Sequence, residues 1–159
     1  MVKKILFVCT GNSCRSVMAQ EYMRHALKQT GLEDIGVESA GVFAIQGMAP
    51  TSQTQSVLQE CGIPVSTHQA RYLTPSMVQE ADLIFIMENF HREEVLRRDP
   101  AARNKVHLLK VYNLPSGEAL QNPNINDPIG KPLEVYESCF YEIREAVNRI
   151  VKFLGASRV

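Results

Sequence analysis

The sequence predicts a three-layer α/β fold, a parallel sheet with helices on both faces. Three observations lead there. Two short apolar runs, KILFV at 4–8 and DLIFIM at 82–87, read as strands covered on both faces. Stretches of helical periodicity lie between such runs, and alternating strands and helices imply parallel pairing. No repeat, low-complexity tract or linker interrupts the 159 residues, so one domain over 1–159 is expected.

The elements follow in order. After the first strand and a short loop, Val17, Met18, Tyr22, Met23, Ala26 and Leu27 recur at helical spacing, with Gly31 as the stop. A strand is expected near 36–42 (GVESAGV), then a helix near 51–60 closed by Gly62. Thr74-Pro75 opens another helix, with threonine as N-cap and proline at the first helical position. The second apolar strand is followed by a charged helix near 89–98 and a strand near 105–111 (KVHLLKV). Last, Leu133, Tyr136, Phe140, Ile143, Val147, Ile150 and Leu154 form one stripe of a long amphipathic helix.

Composition excludes several functions. Lys plus Arg equals Asp plus Glu at 17 each, which favours neither nucleic acid nor an anionic membrane as partner. No apolar stretch approaches the roughly 20 residues of a membrane span, and the run in MVKKILFVC is too short for a signal peptide. A soluble, cytoplasmic protein is expected. Cys9, Cys14, Cys61 and Cys139 contain no C-x-x-C pair, and the four histidines lack ligand spacing, so no metal is assigned. Cys61 and Cys139 read as small buried hydrophobes.

The chemistry lies in the first loop, CTGNSCRS. A strand–loop–helix junction directs unpaired N–H groups and the positive end of a helix dipole at an anion. The nucleotide-binding pattern G-x-x-x-x-G-K-[ST] is absent. Cys9 stands at the loop's start and Arg15 at its end, with Gly11 and Asn12 suited to strained backbone. The helix N-terminal field and a nearby cation stabilise a thiolate, so Cys9 is expected to be largely ionised at neutral pH. Arg15 offers a planar fork for two phosphate oxygens. Ser16 can either begin the helix or donate its hydroxyl to the Cys9 thiolate. A long proline-containing connection, 113–132, leaves the last strand on the side where open α/β sheets bind ligands.

VCTGNSCRS directly after the first strand resembles the low-molecular-weight protein tyrosine phosphatases. SAGVFA at 39–44 and NDPIG at 126–130 extend the resemblance along the whole chain. Classical tyrosine phosphatases share C-x5-R-[ST] but place it late in a larger chain. The resemblance implies a four-stranded parallel sheet, a phosphate-binding loop of Thr10, Gly11, Asn12, Ser13, Cys14, Arg15 and Ser16, and metal-free, cofactor-free phosphomonoester hydrolysis. It also implies phosphorylated proteins as substrates; a monomer is the expected state.

Such a reaction needs an acid. Asp34 sits in a turn, Asp82 lies at the wrong end of its strand, and Asp99 precedes Pro100 at a helix exit. Asp127, stiffened by Pro128 in the long connection, can reach over the loop as general acid; otherwise it is an ordinary turn residue. Asn12, Ser39 and His68 match positions that brace the loop in the family. Cys14 matches a second loop cysteine that can pair with Cys9 under oxidation, or is simply a packed thiol.

Position 13 bears on substrate. Tyrosine-selective members commonly have a branched apolar residue there, whereas the arginine-phosphatase branch of the family has threonine. Ser13 keeps the hydroxyl without the methyl, and Ile129-Gly130 after Asp-Pro resembles the shorter arginine-branch form. Phosphotyrosine is the first expectation and phosphoarginine the alternative. Arsenate reductases share the loop but need cysteines near 88–98, a segment that has none. A non-catalytic phosphate-binding module would have no use for Cys9 or Asp127.

Overall fold

The computed structural model describes residues 1–64 and 67–158. Its sheet contains β1 (Lys4–Cys9), β2 (Gly36–Gly41), β3 (Leu83–Ile86) and β4 (Val106–Leu108), ordered β2-β1-β3-β4 with every pair parallel. Five α-helices connect and cover it: α1 (Arg15–Gln29), α2 (Ser52–Glu60), α3 (Pro75–Glu80), α4 (Asn89–Arg98) and α5 (Leu133–Ala156).

The pleat of β1 explains the layers. Ile5, Phe7 and Cys9 join one core, shared with Val17, Met18 and Met23 of α1 and Phe140, Ile143 and Val147 of α5. Leu6 and Val8 point the other way, to Val78 of α3 and Val95 of α4. All five residues are buried, as a central strand between two helical layers requires.

The cap expected at Thr74 is present, and Thr51, expected as the first residue of its helix, caps that helix instead. Thr51 Oγ1 accepts from the Thr54 amide and Thr74 Oγ1 from the Met77 amide, each satisfying an otherwise unpaired first-turn donor. Along α5, Tyr136, Phe140, Ile143, Val147, Ile150 and Leu154 are buried, and Leu133 packs against their cluster from its half-exposed position.

Three expectations change. The run KVHLLKV is not one strand: only Val106–Leu108 pairs with β3, and Leu109–Val111 turns into a 3-10 helix. β3 has only four residues, which leaves Leu109 onward no partner to extend the ladder. Asp99 does more than end α4, because its side chain accepts from the Ala101 amide and begins the 3-10 helix Pro100–Lys105. Cys139 is buried as expected, whereas Cys61 is only half-buried against the core.

Candidate active site

β1 delivers Cys9 to the carboxyl edge of the sheet, and α1 begins at Arg15, so the loop between them spans Thr10 to Cys14. Cys9 Sγ lies 2.9 Å from Ser16 Oγ and accepts from the Asn12 amide at 3.3 Å. The loop folds back on the sulfur because Asn12 takes a left-handed conformation, φ 53°. Asparagine tolerates that region better than most residues, and its side chain here secures the turn.

Asn12 is the hub of the loop. Its Nδ2 donates to Ser16 Oγ at 2.8 Å and to Ser39 Oγ at 2.9 Å, while its Oδ1 accepts from the Arg71 amide at 2.9 Å. Ser39 Oγ in turn donates to Gln20 Oε1 at 2.8 Å. His68 Nε2 donates to the Asn12 carbonyl at 3.1 Å; burial, first of all, pushes this imidazole below its usual value. Asn12 and Ser39 are fully buried with every such group paired, which makes the loop rigid before a ligand arrives.

Gly41 explains the SAG of SAGVFA. A Cβ there would lie 2.6 Å from the Thr10 carbonyl oxygen, 2.8 Å from the Asn12 nitrogen and 2.9 Å from Ala44 Cβ. Its absence lets the 41–44 turn press on the loop, where the Val42 and Phe43 amides donate to the Cys9 and Thr10 carbonyls at 3.0 and 2.9 Å.

Arg15 is 1% exposed, and both terminal nitrogens of its guanidinium have partners. Nη1 donates to Glu88 Oε2 at 2.8 Å and to the Ile125 carbonyl at 2.7 Å; Nη2 lies 3.4 Å from Thr10 Oγ1 and 3.4 Å from Asp127 Oδ2. Burial works against its charge, but Cys9, Glu88 and Asp127 outweigh it and raise the Arg15 pKa. Asp127 Oδ1 accepts from the Ile129 amide at 3.1 Å, which leaves Oδ2 facing the pocket. The connection that carries it does return over the loop, anchored where the Ile125 amide donates to the Met87 carbonyl at 2.8 Å.

Cys9, Thr10, Gly11, Ser13, Cys14, Arg15 and Asp127 line one pocket of about 220 Å³. Phe43, Ile45, Met48 and Ile129 complete its wall, each about half exposed or more. Asn12 and Ser16 stand behind the wall, as do Ser39 and His68. Cys14 is buried, with its sulfur 3.4 Å from the Tyr136 hydroxyl, whose pKa burial pushes up to about 12.

Sequence reasoning missed several neighbours of the site. Glu88, His91, Thr54, Tyr136 and the Ile125 carbonyl all touch the loop or Arg15, and Thr54 Oγ1 donates to the Ser13 carbonyl at 3.0 Å. Only Glu88 and His91 had a signal: they follow directly on β3, at the ligand-binding edge of the sheet.

A four-stranded parallel sheet with helices on both faces, holding a cysteine–arginine loop at its carboxyl edge, is the arrangement shared with solved low-molecular-weight phosphatase folds. The family model described as low molecular weight phosphotyrosine protein phosphatase matches residues 4–159, and the chain belongs to that family of cysteine-dependent hydrolases. EpsP of Ralstonia nicotianae, named a probable low molecular weight protein-tyrosine-phosphatase, is 36% identical over 98% of this chain and 99% of its own. A protein-arginine-phosphatase of Geobacillus stearothermophilus is 35% identical over 97% of each chain. Among solved structures, the tyrosine phosphatase AmsI of Erwinia amylovora superposes with a TM-score of 0.84 at 30% identity, covering 96% of this chain and 93% of that one.

Proposed function

We propose that the protein hydrolyses phosphotyrosine in proteins through a cysteinyl-phosphate, with Cys9 as nucleophile, Arg15 as phosphate ligand and Asp127 as general acid. The observation that carries this reading is the shared pocket: Cys9 Sγ, the Arg15 guanidinium and Asp127 Oδ2 meet there, with Arg15 and Asp127 3.4 Å apart.

In the first step Cys9 sulfur attacks phosphorus in line, and the bond to the leaving oxygen breaks. Arg15 and the amides of the 10–16 loop hold the equatorial oxygens, where transition-state charge resides. Asp127 gives its proton to the departing oxygen. In the second step Asp127 takes a proton from water, the water oxygen attacks phosphorus, and the P–S bond breaks to return the thiolate. A thiolate only accepts hydrogen bonds, so Ser16 donates to it and stabilises its departure. Neither step requires a metal or cofactor.

The rim favours phosphotyrosine, because Phe43, Ile45, Met48 and Ile129 form an apolar collar suited to an aromatic ring. A specific observation supports phosphoarginine as a second reading: Ser13 lines the pocket and has a hydroxyl able to accept from a guanidinium. Cys9 and Cys14 both line the pocket, which supports protective pairing. In that step a peroxide takes two electrons and two protons from the thiols as the S–S bond forms. A nucleophilic thiol must otherwise stay reduced, which fits a cytoplasmic setting. A monomer of one domain, over residues 1–159, completes the reading.

The test is kcat/KM on phosphotyrosine and phosphoarginine peptides, with Cys9→Ser as blank. Turnover that survives in Cys9→Ser sinks the mechanism. A phosphoarginine preference that Ser13→Ile reverses establishes the second reading over the first.

A further inference from the structure

Thr10 follows the cysteine and lines the pocket, and its hydroxyl is approached by two donors. Arg15 Nη2, which can only donate, lies 3.4 Å from Oγ1. His91 Nε2 lies 3.0 Å from the same oxygen. The other ring nitrogen decides what His91 does there. The Glu88 backbone N–H donates to Nδ1 at 3.0 Å, so Nδ1 carries no proton. The proton of the neutral ring is then on Nε2, and His91 donates to Thr10. His91 is fully buried, and burial followed by the Arg15 charge pushes its pKa down to about 3, which keeps the ring uncharged at neutral pH.

A hydroxyl has two acceptor lone pairs and one proton. Arg15 and His91 occupy both lone pairs of Thr10, and its proton has no acceptor among the described residues. The open side of the hydroxyl is the pocket.

We propose that Thr10 Oγ1–H donates to the phosphoryl group bound over Cys9, and that His91 is the positioning residue that turns this proton into the pocket. The inference rests on the phosphatase reading of the site. Glu88 serves both donors: its backbone amide sets the His91 tautomer, and its carboxylate holds Arg15 Nη1 at 2.8 Å. One residue, the N-cap of α4 just past β3, thus orients a charged and a neutral donor toward the same anion. An ionised phosphoryl oxygen only accepts, so a hydroxyl fixed beforehand is matched to it without reorganisation.

The experiment measures inorganic phosphate affinity by calorimetry, which needs no turnover, alongside thermal melts and aryl phosphate hydrolysis. Thr10→Val and His91→Asn should each weaken phosphate binding by about tenfold or more, the scale of one hydrogen bond to a charged group. Thr10→Ser restores the hydroxyl and should recover most of the affinity. His91→Asn keeps an acceptor for the Glu88 amide but no donor for Thr10, so its melting temperature should hold while affinity falls. His91→Gln reverses that split, because its amide reaches Thr10 and leaves the Glu88 N–H unpaired. The double variant Thr10→Val/His91→Asn should bind no more weakly than Thr10→Val.

Unchanged affinity in Thr10→Val overturns the inference, and so does an additive double variant. If His91→Asn loses stability but not affinity, His91 is merely structural. Wild-type protein that binds no phosphate or hydrolyses no aryl phosphate overturns the phosphatase reading itself. Wild-type protein that does both, with Thr10→Val unaffected, overturns only this inference.

Discussion

The Ser16 hydroxyl lies 2.9 Å from Cys9 Sγ, and one residue governs both partners: the Asn12 backbone amide donates to the sulfur while its side-chain Nδ2 donates to the hydroxyl. With Ser16 already accepting from Asn12, its proton is free for the sulfur. The contact should matter most when the thiolate leaves phosphorus. Ser16→Ala is expected to slow kcat by about tenfold to a hundredfold, the scale of a hydrogen bond to a charged group. Rapid mixing with an aryl phosphate should show a burst of the first product. A single slow phase without a burst would move the role of Ser16 to the first step.

Asp127 has one oxygen tied to the Ile129 amide and the other at the pocket. As general acid it should matter more for a poor leaving group than for a good one. Asp127→Asn is expected to lower kcat/KM by about 10²–10⁴ on phenyl phosphate, and by less on p-nitrophenyl phosphate. The wild-type pH–rate profile should be bell-shaped, and the variant should lose the limb on which rate falls as pH rises. Equal losses on both substrates would remove Asp127 from proton transfer.

Gly41 is a glycine because backbone, not a flexible side chain, occupies the space beside it. Gly41→Ala must push the Thr10 carbonyl or the Asn12 amide, and the latter donates to Cys9 Sγ. A cost of about 1–3 kcal/mol in urea unfolding is expected, typical of overpacking. A fall in kcat/KM should accompany it. A variant as stable and active as wild type would show that the loop yields freely.

His91 ties stability to pH. Its folded pKa is lowered to about 3 from an ordinary 6.5, chiefly by burial. Between those values the unfolded chain binds the extra proton, so stability is fully present above about pH 6.5 and falls as pH drops toward 3. His68 and His107 are shifted the same way, so His91→Asn should reduce this slope rather than abolish it. Urea midpoints for both proteins between pH 7.5 and 4 check this. Identical slopes would mean that His91 is not held neutral.

Much of this site is legible in the chain because its parts are local. Cys9, Asn12, Arg15 and Ser16 fall within one strand–loop–helix unit, and the stripe from Tyr136 to Leu154 announces α5 by spacing alone. Other parts are marked only by their position after β3. Glu88 reads as one more acid in a charged helix, yet it holds the buried Arg15; His91 reads as a scattered histidine, yet it reaches Thr10. β4 looks like seven residues of strand and pairs over three, since ladder length depends on the neighbouring strand.

By itself the sequence determined the alternation of strands and helices, the loop that presents Cys9 and Arg15, and the long connection that contains Asp127. Periodicity, capping residues and backbone preference are properties of neighbours along the chain, so they can be read there. Only the tertiary structure decided that Glu88, His91, the Ile125 carbonyl and Asp127 converge on Thr10 and Arg15. Parallel strands end on one edge of the sheet, bringing segments more than seventy residues apart within hydrogen-bond distance. Which donor then meets which acceptor depends on direction as well as proximity, and direction exists only in the folded chain.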